Sequence, residues 1–267
     1  MFIVRTVIAL VCTILAPINA GIPPEPASPL SVCAFQVVGH RGTDAGVARN
    51  NTVAAFQQAV AAGADVVEMD IRLTAPDNQG HPTWVVNHDA TIRGHRISRM
   101  TFHALRDLQP DLVTFREAAQ IAADAGVGIE VELKPEHVAV DGLREVLDVL
   151  DKMQLRETAV LTSAHPSVLA RLEPLVGSTQ LGVILREPAD PQAVRRFADR
   201  VLIRHNLISA EFVSEAHANG LSVEVWTVDD ADGWQTSSRY GVDGVITNKA
   251  AAASAWCAAN PIDPSAP

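Results

Sequence analysis

Short apolar runs alternate with stretches in which apolar residues recur at helical spacing, and this pattern continues through most of the 267-residue chain. β-Branched apolar runs indicate strands, and the amphipathic stretches between them indicate helices, so the pattern predicts βα units and a parallel sheet. Strands are predicted at 36–39, 65–73, 83–87, 128–133, 159–162, 180–185, 201–203, 222–227 and 244–247. These nine candidates exceed by one the eight strands of a βα barrel, and the sequence does not say which is extra.

Local signals place several helix ends. Asn51 or Thr52 is a suitable N-cap for a first helix that stops at Gly63. Thr114 and Glu117 have the spacing of a capping box, in which each side chain satisfies a backbone N–H of the first turn. A second helix is therefore predicted to begin after Thr114.

Polar residues fall at or near the ends of different predicted strands. In a closed barrel the strand ends converge on one face, so such residues surround one ligand, whereas an open sheet would not gather them all. The chain also lacks the Gly-rich phosphate loops typical of open α/β sheets. We therefore predict an α/β fold, a single-domain (β/α)8 TIM barrel over residues 35–259. The strand-end residues are His40, Glu68, Asp70, His88, Glu132, Lys134 and Trp226.

Composition narrows the functional class. Hydrophobic residues make up 48% of the chain, enough for a sizeable core, and the net charge is −10. Nucleic-acid-binding proteins usually carry a clustered basic face, so this charge argues against a nucleic-acid partner. It does not argue against a phosphate substrate, because a bound divalent cation can invert the local field.

The N-terminus has the features of an export signal. Arg5 precedes the apolar run 6–15, and Ile18-Asn19-Ala20 is a small-residue cleavage site. We expect a signal peptide at 1–20, a proline-rich leader at 21–34, and a secreted protein, extracellular or periplasmic. The apolar run is too short to span a bilayer comfortably, so no stable membrane anchor is expected after cleavage. Residues 260–267 are expected to form a loose C-terminal tail.

Signal cleavage leaves two cysteines, Cys33 and Cys257. An exported protein meets oxidising conditions, and a barrel brings its two ends together, so a disulfide between them is expected. The alternative is a pair of buried free thiols.

Glu68 and Asp70 lie two positions apart on a mostly apolar strand and so point to the same side. Two inward-facing carboxylates repel each other and lose hydration unless a positive group lies between them. A hard divalent cation with oxygen ligands would reduce the repulsion and compensate for the lost hydration. The alternative is a solvent-facing pair, or a pair neutralised by Arg72 or Arg93.

Several motifs also carry a family resemblance. The chain has, in order, Gly-His-Arg-Gly at 39–42, Asn-Thr at 51–52, Glu-Met-Asp at 68–70 and His-Asp at 88–89. Glu-Leu-Lys at 132–134, Trp-Thr-Val at 226–228 and the segment 241–247 follow. This ordered set resembles the glycerophosphodiester phosphodiesterase family, and the resemblance covers residues 37–247.

The resemblance implies roles for individual residues. His40 and His88 would form the acid/base pair, and Arg41 and Lys134 would bind the phosphate. Glu132 would be the third ligand, beside Glu68 and Asp70, of one divalent cation, Ca²⁺ or Mg²⁺. The implied reaction is hydrolysis of a small-molecule glycerophosphodiester to glycerol 3-phosphate and an alcohol. The route, through water or through a cyclic phosphate, is open.

Trp226 is interpreted either as an apolar wall for the glycerol or leaving group, or as ordinary core packing. The chain departs from the family at Asn50, where a glutamate is usual, and at Asn248, where an aspartate is common. The segment between His88 and Glu132 is short, which predicts an open site. Two other functions stay open: a phospholipase D-like enzyme acting on lysophospholipid or sphingolipid, and a non-catalytic phosphate- or glycan-binding barrel. The oligomeric state is not predicted.

Overall fold

A computed structural model describes residues 33–42 and 48–261. The predicted signal peptide, residues 21–32 of the leader and residues 262–267 of the tail lie outside this part. The strands are β1 Gln36–Gly39, β2 Val66–Leu73, β3 Trp84–Val86, β4 Thr91–Ile92, β5 His95–Arg96, β6 Gly128–Leu133, β7 Ala159–Ser163, β8 Gln180–Leu185, β9 Arg200–Arg204, β10 Ser222–Trp226 and β11 Gly244–Thr247. The helices are α1 Val53–Ala61, α2 Phe102–Leu108, α3 Phe115–Ala125, α4 Val140–Lys152, α5 Pro166–Val176, α6 Pro191–Val194, α7 Ala210–Ala218, α8 Ala231–Tyr240 and α9 Ala250–Ala259.

Eight parallel strands close into a barrel. They follow one another round the ring in the order β1, β2, β6, β7, β8, β9, β10, β11, and β11 returns to β1. This arrangement confirms the predicted (β/α)8 TIM barrel. The extra candidate is β3, which pairs antiparallel with β2 outside the ring.

Strand β2 shows how the alternating pattern builds both layers of the barrel. Val67, Met69 and Ile71 belong to the large apolar core that also contains helix residues. Glu68 and Asp70 alternate with them and therefore point to the other side, into the barrel, where both are buried. The alternation thus places a buried acidic pair inside the ring.

The segment after β2 forms a small appendage with a core of its own. β3, the β4–β5 hairpin and α2 contribute to it, and its apolar cluster is separate from the main core. The cluster consists of Val85, Ile92, Ile97, Leu105 and Leu112. This appendage carries His88, which follows β3 directly.

The observed helix starts agree with the capping signals. Thr52 is the N-cap of α1, and its hydroxyl accepts a hydrogen bond from the backbone N–H of Ala55 at 3.2 Å. Thr114 and Glu117 form the predicted reciprocal capping box at the start of α3. Both predictions are confirmed.

The two cysteines are joined at the seam of the barrel. Cys33 precedes β1, Cys257 lies in α9, and their Cα atoms are 5.0 Å apart in a disulfide, within the usual range for such bridges. Phe35 stacks on Trp256 beside the bridge, with ring centroids 5.8 Å apart. The structure therefore contains the expected disulfide. None of the helices among the described residues combines the length and apolar character that a bilayer crossing requires.

Candidate active site

Three carboxylates converge at one end of the barrel. Glu68 and Asp70 come from β2 and Glu132 from the neighbouring β6, where Asp70 and Glu132 are partners in the strand register. One carboxylate oxygen from each of the three lies within 4.8 Å of the others. Glu68 and Asp70 are only 4% and 1% exposed, so water screens their mutual repulsion poorly.

The electrostatics of this cluster suit a cation. Burial, together with repulsion from Asp70 and Glu132, raises the pKa of Glu68 well above its ordinary value. Burial also raises the pKa of Glu132, with the charge of Lys134 opposing the change. Three clustered oxygen donors are the ligand type that hard divalent cations prefer, so these residues fit one.

Two basic side chains flank the same carboxylates. Lys134 Nζ lies 2.8 Å from Glu132 Oε1 and 3.3 Å from Asp70 Oδ1. Arg41 Nε lies 3.2 Å from Asp70 Oδ2, an ion pair without the alignment of a hydrogen bond. Burial opposes the ionisation of Asp70, but the charges of Lys134 and Arg41 outweigh it and lower its pKa. Asp70 is therefore held as a carboxylate.

The turn after β1 is shaped around the acidic pair. Arg41 has a left-handed backbone, φ 56°, and its N–H donates to Glu68 Oε2 at 2.8 Å. Asn51 is also left-handed, φ 59°, and its side-chain amide donates to Asp70 Oδ2 at 2.9 Å. Gly42 follows with φ 65°, and a Cβ there would meet the Phe56 ring at 2.2 Å. Such backbone strain persists where surrounding contacts enforce it, often at functional sites.

His40 is oriented by a chain of hydrogen bonds. Its Nδ1 lies 2.7 Å from Asn248 Oδ1, and the Asn248 amide nitrogen donates to Asp229 Oδ2 at 2.8 Å. Because the amide oxygen can only accept, Nδ1 of His40 carries the proton and Nε2 is left as an acceptor. Burial, together with the charge of Arg41, lowers the pKa of His40.

His88 reaches the same site from the appendage. β3 runs back along β2 from Leu73 to Ile71, so its end brings His88 down to the level of the acidic pair. Arg72 holds this turn, because its guanidinium donates twice to the His88 carbonyl oxygen, at 2.9 and 2.6 Å. His88 Nδ1 lies 2.8 Å from Asp89 Oδ1. His88 thus follows a strand as expected, although that strand is not part of the barrel.

A cavity of about 260 Å³ unites these groups. Seven of the eight predicted site residues line it, and the eighth, Asp70, contacts the lining residue Lys134. Trp226 lines the cavity and also packs against an inner apolar cluster, so core packing is observed and its role as a wall for the substrate stays a prediction. The lining residues among the predicted set are His40, Arg41, Glu68, His88, Glu132, Lys134 and Trp226.

A second buried polar group includes Glu130, which also lines the cavity. Glu130 and Glu224 are 1% and 0% exposed, and Arg200 forms an ion pair with Glu224. Burial raises the pKa of Glu130 well above its ordinary value, and both the negative charge of Glu224 and the hydrogen bond to it add to this effect.

Four supporting residues were not identified from sequence: Asn51, Arg72, Asp229 and Asn248. The sequence marks Asn51 as a helix cap and as part of the Asn-Thr motif, and it marks Arg72 as an alternative partner for the acidic pair. Asn248 was noted as a departure from the family, and its position just after the last strand was the available signal. Asn50 forms no side-chain hydrogen bond within the described ranges.

Comparison with known proteins gives the family of this chain. Residues 40–252 match the glycerophosphoryl diester phosphodiesterase family model. A glycerophosphodiester phosphodiesterase from Caldanaerobacter subterraneus is 26% identical over 233 residues, covering 79% of this chain and 93% of that protein.

Solved structures share the fold. A glycerophosphodiester phosphodiesterase from Parabacteroides distasonis superposes with a TM-score of 0.75 at 21% identity, over 85% of this chain and 98% of its own. A phosphodiesterase from Oleispira antarctica, solved in complex with the product sn-glycerol-3-phosphate, has a TM-score of 0.72 at 20% identity, over 83% and 96%. With the family model spanning most of the barrel, the chain belongs to the glycerophosphoryl diester phosphodiesterase family.

Proposed function

We propose that this protein is an exported, divalent-cation-dependent enzyme that hydrolyses glycerophosphodiesters to glycerol 3-phosphate and an alcohol by His/His acid–base catalysis. Family membership supports the phosphodiesterase activity itself. The observation that carries the proposal is the convergence of three carboxylates and two imidazoles on one cavity. The product bound in the Oleispira antarctica phosphodiesterase supports the product proposed here.

Glu68, Asp70 and Glu132 would hold the cation. When bound, a divalent cation supplies charge neutralisation at a phosphate oxygen. Arg41 and Lys134, which already lie beside Asp70, would bind the remaining phosphate oxygens. The acidic cluster and its two basic neighbours therefore form the phosphate end of the site.

The two histidines have unequal partners, which suggests unequal roles. The amide oxygen of Asn248 fixes the neutral tautomer of His40 with Nε2 free, so His40 would take the proton from the attacking oxygen. The carboxylate of Asp89 can only accept a hydrogen bond, so Nδ1 of His88 is the donor and Nε2 is the atom through which His88 would donate a proton to the leaving alcohol. One P–O bond forms to the attacking oxygen, and the P–O bond to the alcohol breaks.

The attacking oxygen can belong to water or to the glycerol hydroxyl next to the ester. Water gives glycerol 3-phosphate directly. The internal hydroxyl gives a cyclic phosphate, which water then opens to the same product. Phosphorus NMR of the reaction mixture distinguishes the routes, because only the second passes through a cyclic species.

The test is release of glycerol 3-phosphate from glycerophosphoglycerol. We expect activity to disappear in excess chelator and to return with Ca²⁺ or Mg²⁺. Glu68→Gln and Glu132→Gln are expected to lose activity and also the rise in melting temperature that a bound cation produces. Glu173→Gln, an exposed acid on α5, is the matched control.

Full activity after exhaustive chelation would contradict the cation dependence. Full activity in both His40→Ala and His88→Ala would contradict the catalytic assignment. Lysophosphatidylcholine is assayed in parallel, and a higher rate on that lipid would favour the phospholipase D-like alternative. Calorimetry that detects binding of glycerophosphoglycerol without turnover would favour the non-catalytic barrel.

Export is proposed from the signal-like sequence at 1–20. The Cys33–Cys257 disulfide supports it, because such bridges persist mainly in oxidising compartments. We expect the full chain expressed in a bacterium to yield an exported protein whose first residue is Gly21. An intact Met1 in the exported fraction, or retention in the cytoplasm, would contradict the proposal.

A further inference from the structure

The cavity has two walls of different chemistry. One carries the carboxylates, on β2 and β6, with the phosphate-binding residues described above. The other, named here the arginine wall, consists of Arg186, Arg204 and Trp226 at the ends of β8, β9 and β10. In the ring order three strands separate β2 from β9 in either direction, so the two walls face each other.

The arginine wall is organised rather than incidental. Arg204 and Trp226 are register partners on adjacent strands, and the Arg204 guanidinium carbon lies 5.1 Å from the centroid of the indole ring. This is the geometry of a cation–π contact, which holds the guanidinium over the ring. Arg186 lines the cavity beside it, at the end of the neighbouring strand β8.

The charge on this wall is not neutralised locally. Within residues 33–42 and 48–261, neither Arg186 nor Arg204 forms an ion pair or a side-chain hydrogen bond. The carboxylates that line the cavity all come from β2 and β6, on the opposite wall. Two neighbouring uncompensated cations in a chain of net charge −10 are therefore available to a ligand.

A simple diester gives these cations nothing to bind. Its single phosphate charge is met at the carboxylate wall, by the cation site, Arg41 and Lys134. A neutral alcohol leaves the arginine wall without a partner, and a quaternary ammonium group would be repelled by it. A second phosphate on the alcohol would accept charge-assisted hydrogen bonds from both guanidinium groups.

We propose that the arginine wall binds a second phosphate group carried by the alcohol moiety, so that the enzyme prefers glycerophosphodiesters with a phosphorylated alcohol. This inference rests on the proposed function of the site. It assigns Arg186 and Arg204 as specificity-determining residues and leaves the reaction at the first phosphate unchanged.

The test compares bis(glycerophospho)glycerol with glycerophosphoglycerol. Both contain the same glycerol–phosphate–glycerol link, and the first carries one further glycerol-phosphate unit, which supplies the second phosphate group. Wild-type kcat/KM is expected to favour the former by about tenfold, the effect of one charge-assisted hydrogen bond. Glycerophosphocholine is expected to be the poorest of the three substrates. The double variant Arg186→Gln/Arg204→Gln is expected to lose the preference, mainly through KM.

The matched control is Arg196→Gln/Arg239→Gln, which removes the same charge away from the cavity lining, at a residue shortly after α6 and at one near the end of α8. This control is expected to keep the wild-type preference. Two results would overturn the proposed role of the arginine wall and leave the proposed function intact. One is equal wild-type kcat/KM for the two glycerol substrates, and the other is a preference that survives in the Arg186→Gln/Arg204→Gln variant. Absence of turnover on all three diesters overturns the proposed function and this inference with it.

Discussion

The side chain of Asn248 meets His40 across 208 positions of sequence, with Oδ1 and Nδ1 separated by 2.7 Å. Asp229 fixes the orientation of this amide by accepting hydrogen bonds from both its side-chain and its backbone nitrogen. The tautomer of the proposed base is therefore set by residues that follow the last two strands of the barrel, Asp229 after β10 and Asn248 after β11.

We expect Asn248→Asp to shift the pH dependence of kcat/KM. A carboxylate beside Nδ1 stabilises the imidazolium and so raises the pKa of His40, which burial now lowers. A base must be neutral to act, so the acidic limb of the profile should move to higher pH by about one unit. Asn248→Ala is the control, with lower activity and no upward shift. An unmoved limb in Asn248→Asp would argue against His40 as the base.

Substrates with different leaving groups should distinguish the roles of His40 and His88. His88→Ala is expected to lower kcat on glycerophosphoglycerol by roughly 10²–10⁴-fold, the usual contribution of a general acid. On the p-nitrophenyl diester of glycerol 3-phosphate the loss should be much smaller, because nitrophenolate departs without a proton. His40→Ala should lower kcat on both substrates. The control His103→Ala, on the exposed face of α2, should leave kcat unchanged on both. Equal losses for both His40→Ala and His88→Ala on both diesters would contradict the division of roles.

Glu130→Gln is expected to raise stability at neutral pH. The pKa of Glu130 is raised in the folded state, so its contribution is fully present below its unfolded value of 4.5 and is lost as pH rises through the folded pKa. Glutamine mimics the protonated form at every pH. The urea midpoint of the variant, measured with chelator present, should exceed that of wild type by a margin that widens from pH 4.5 upwards, while exposed Glu173→Gln stays parallel to wild type. A constant or narrowing margin would contradict the raised pKa.

Loss of the disulfide should destabilise the barrel. The bridge spans a sequence separation of 224 residues, and removing a native bridge typically costs about 2–5 kcal/mol. Cys33→Ser/Cys257→Ser should show this loss in urea unfolding, as should the reduced wild-type protein. Reductant should leave the double variant unchanged. Equal midpoints for oxidised and fully reduced wild type would show that the bridge contributes nothing.

Much of the fold follows from sequence because local signals agree with the tertiary structure. The alternation at 66–71 places the acidic pair on one face of β2, and Thr114 with Glu117 fixes the start of α3. The role of β3 was harder, because its apolar pattern resembles that of a barrel strand. The clue was connection length: the ten positions 74–83 are too few for a helical crossover, which favours an antiparallel return.

The site was only partly predictable for a similar reason. Motif residues such as His40 and Glu132 can be recognised from the sequence because they lie at or near the end of a predicted strand. Arg72 binds a backbone carbonyl, that of His88, and Asn248 binds a ring 208 positions away. Neither contact produces a periodic or local pattern in the sequence, because both depend on which strands and loops are brought together when the barrel closes.

The proposed acid and base rest on different supports. His40 directly follows the barrel strand β1, whereas His88 belongs to the appendage with its separate core, where Arg72 donates hydrogen bonds to its carbonyl oxygen. Sequence changes within that appendage can accordingly reposition the group that releases the alcohol without moving the carboxylates of β2 and β6. Leaving-group chemistry and cation binding are in this way open to independent adjustment, by evolution or by an engineer.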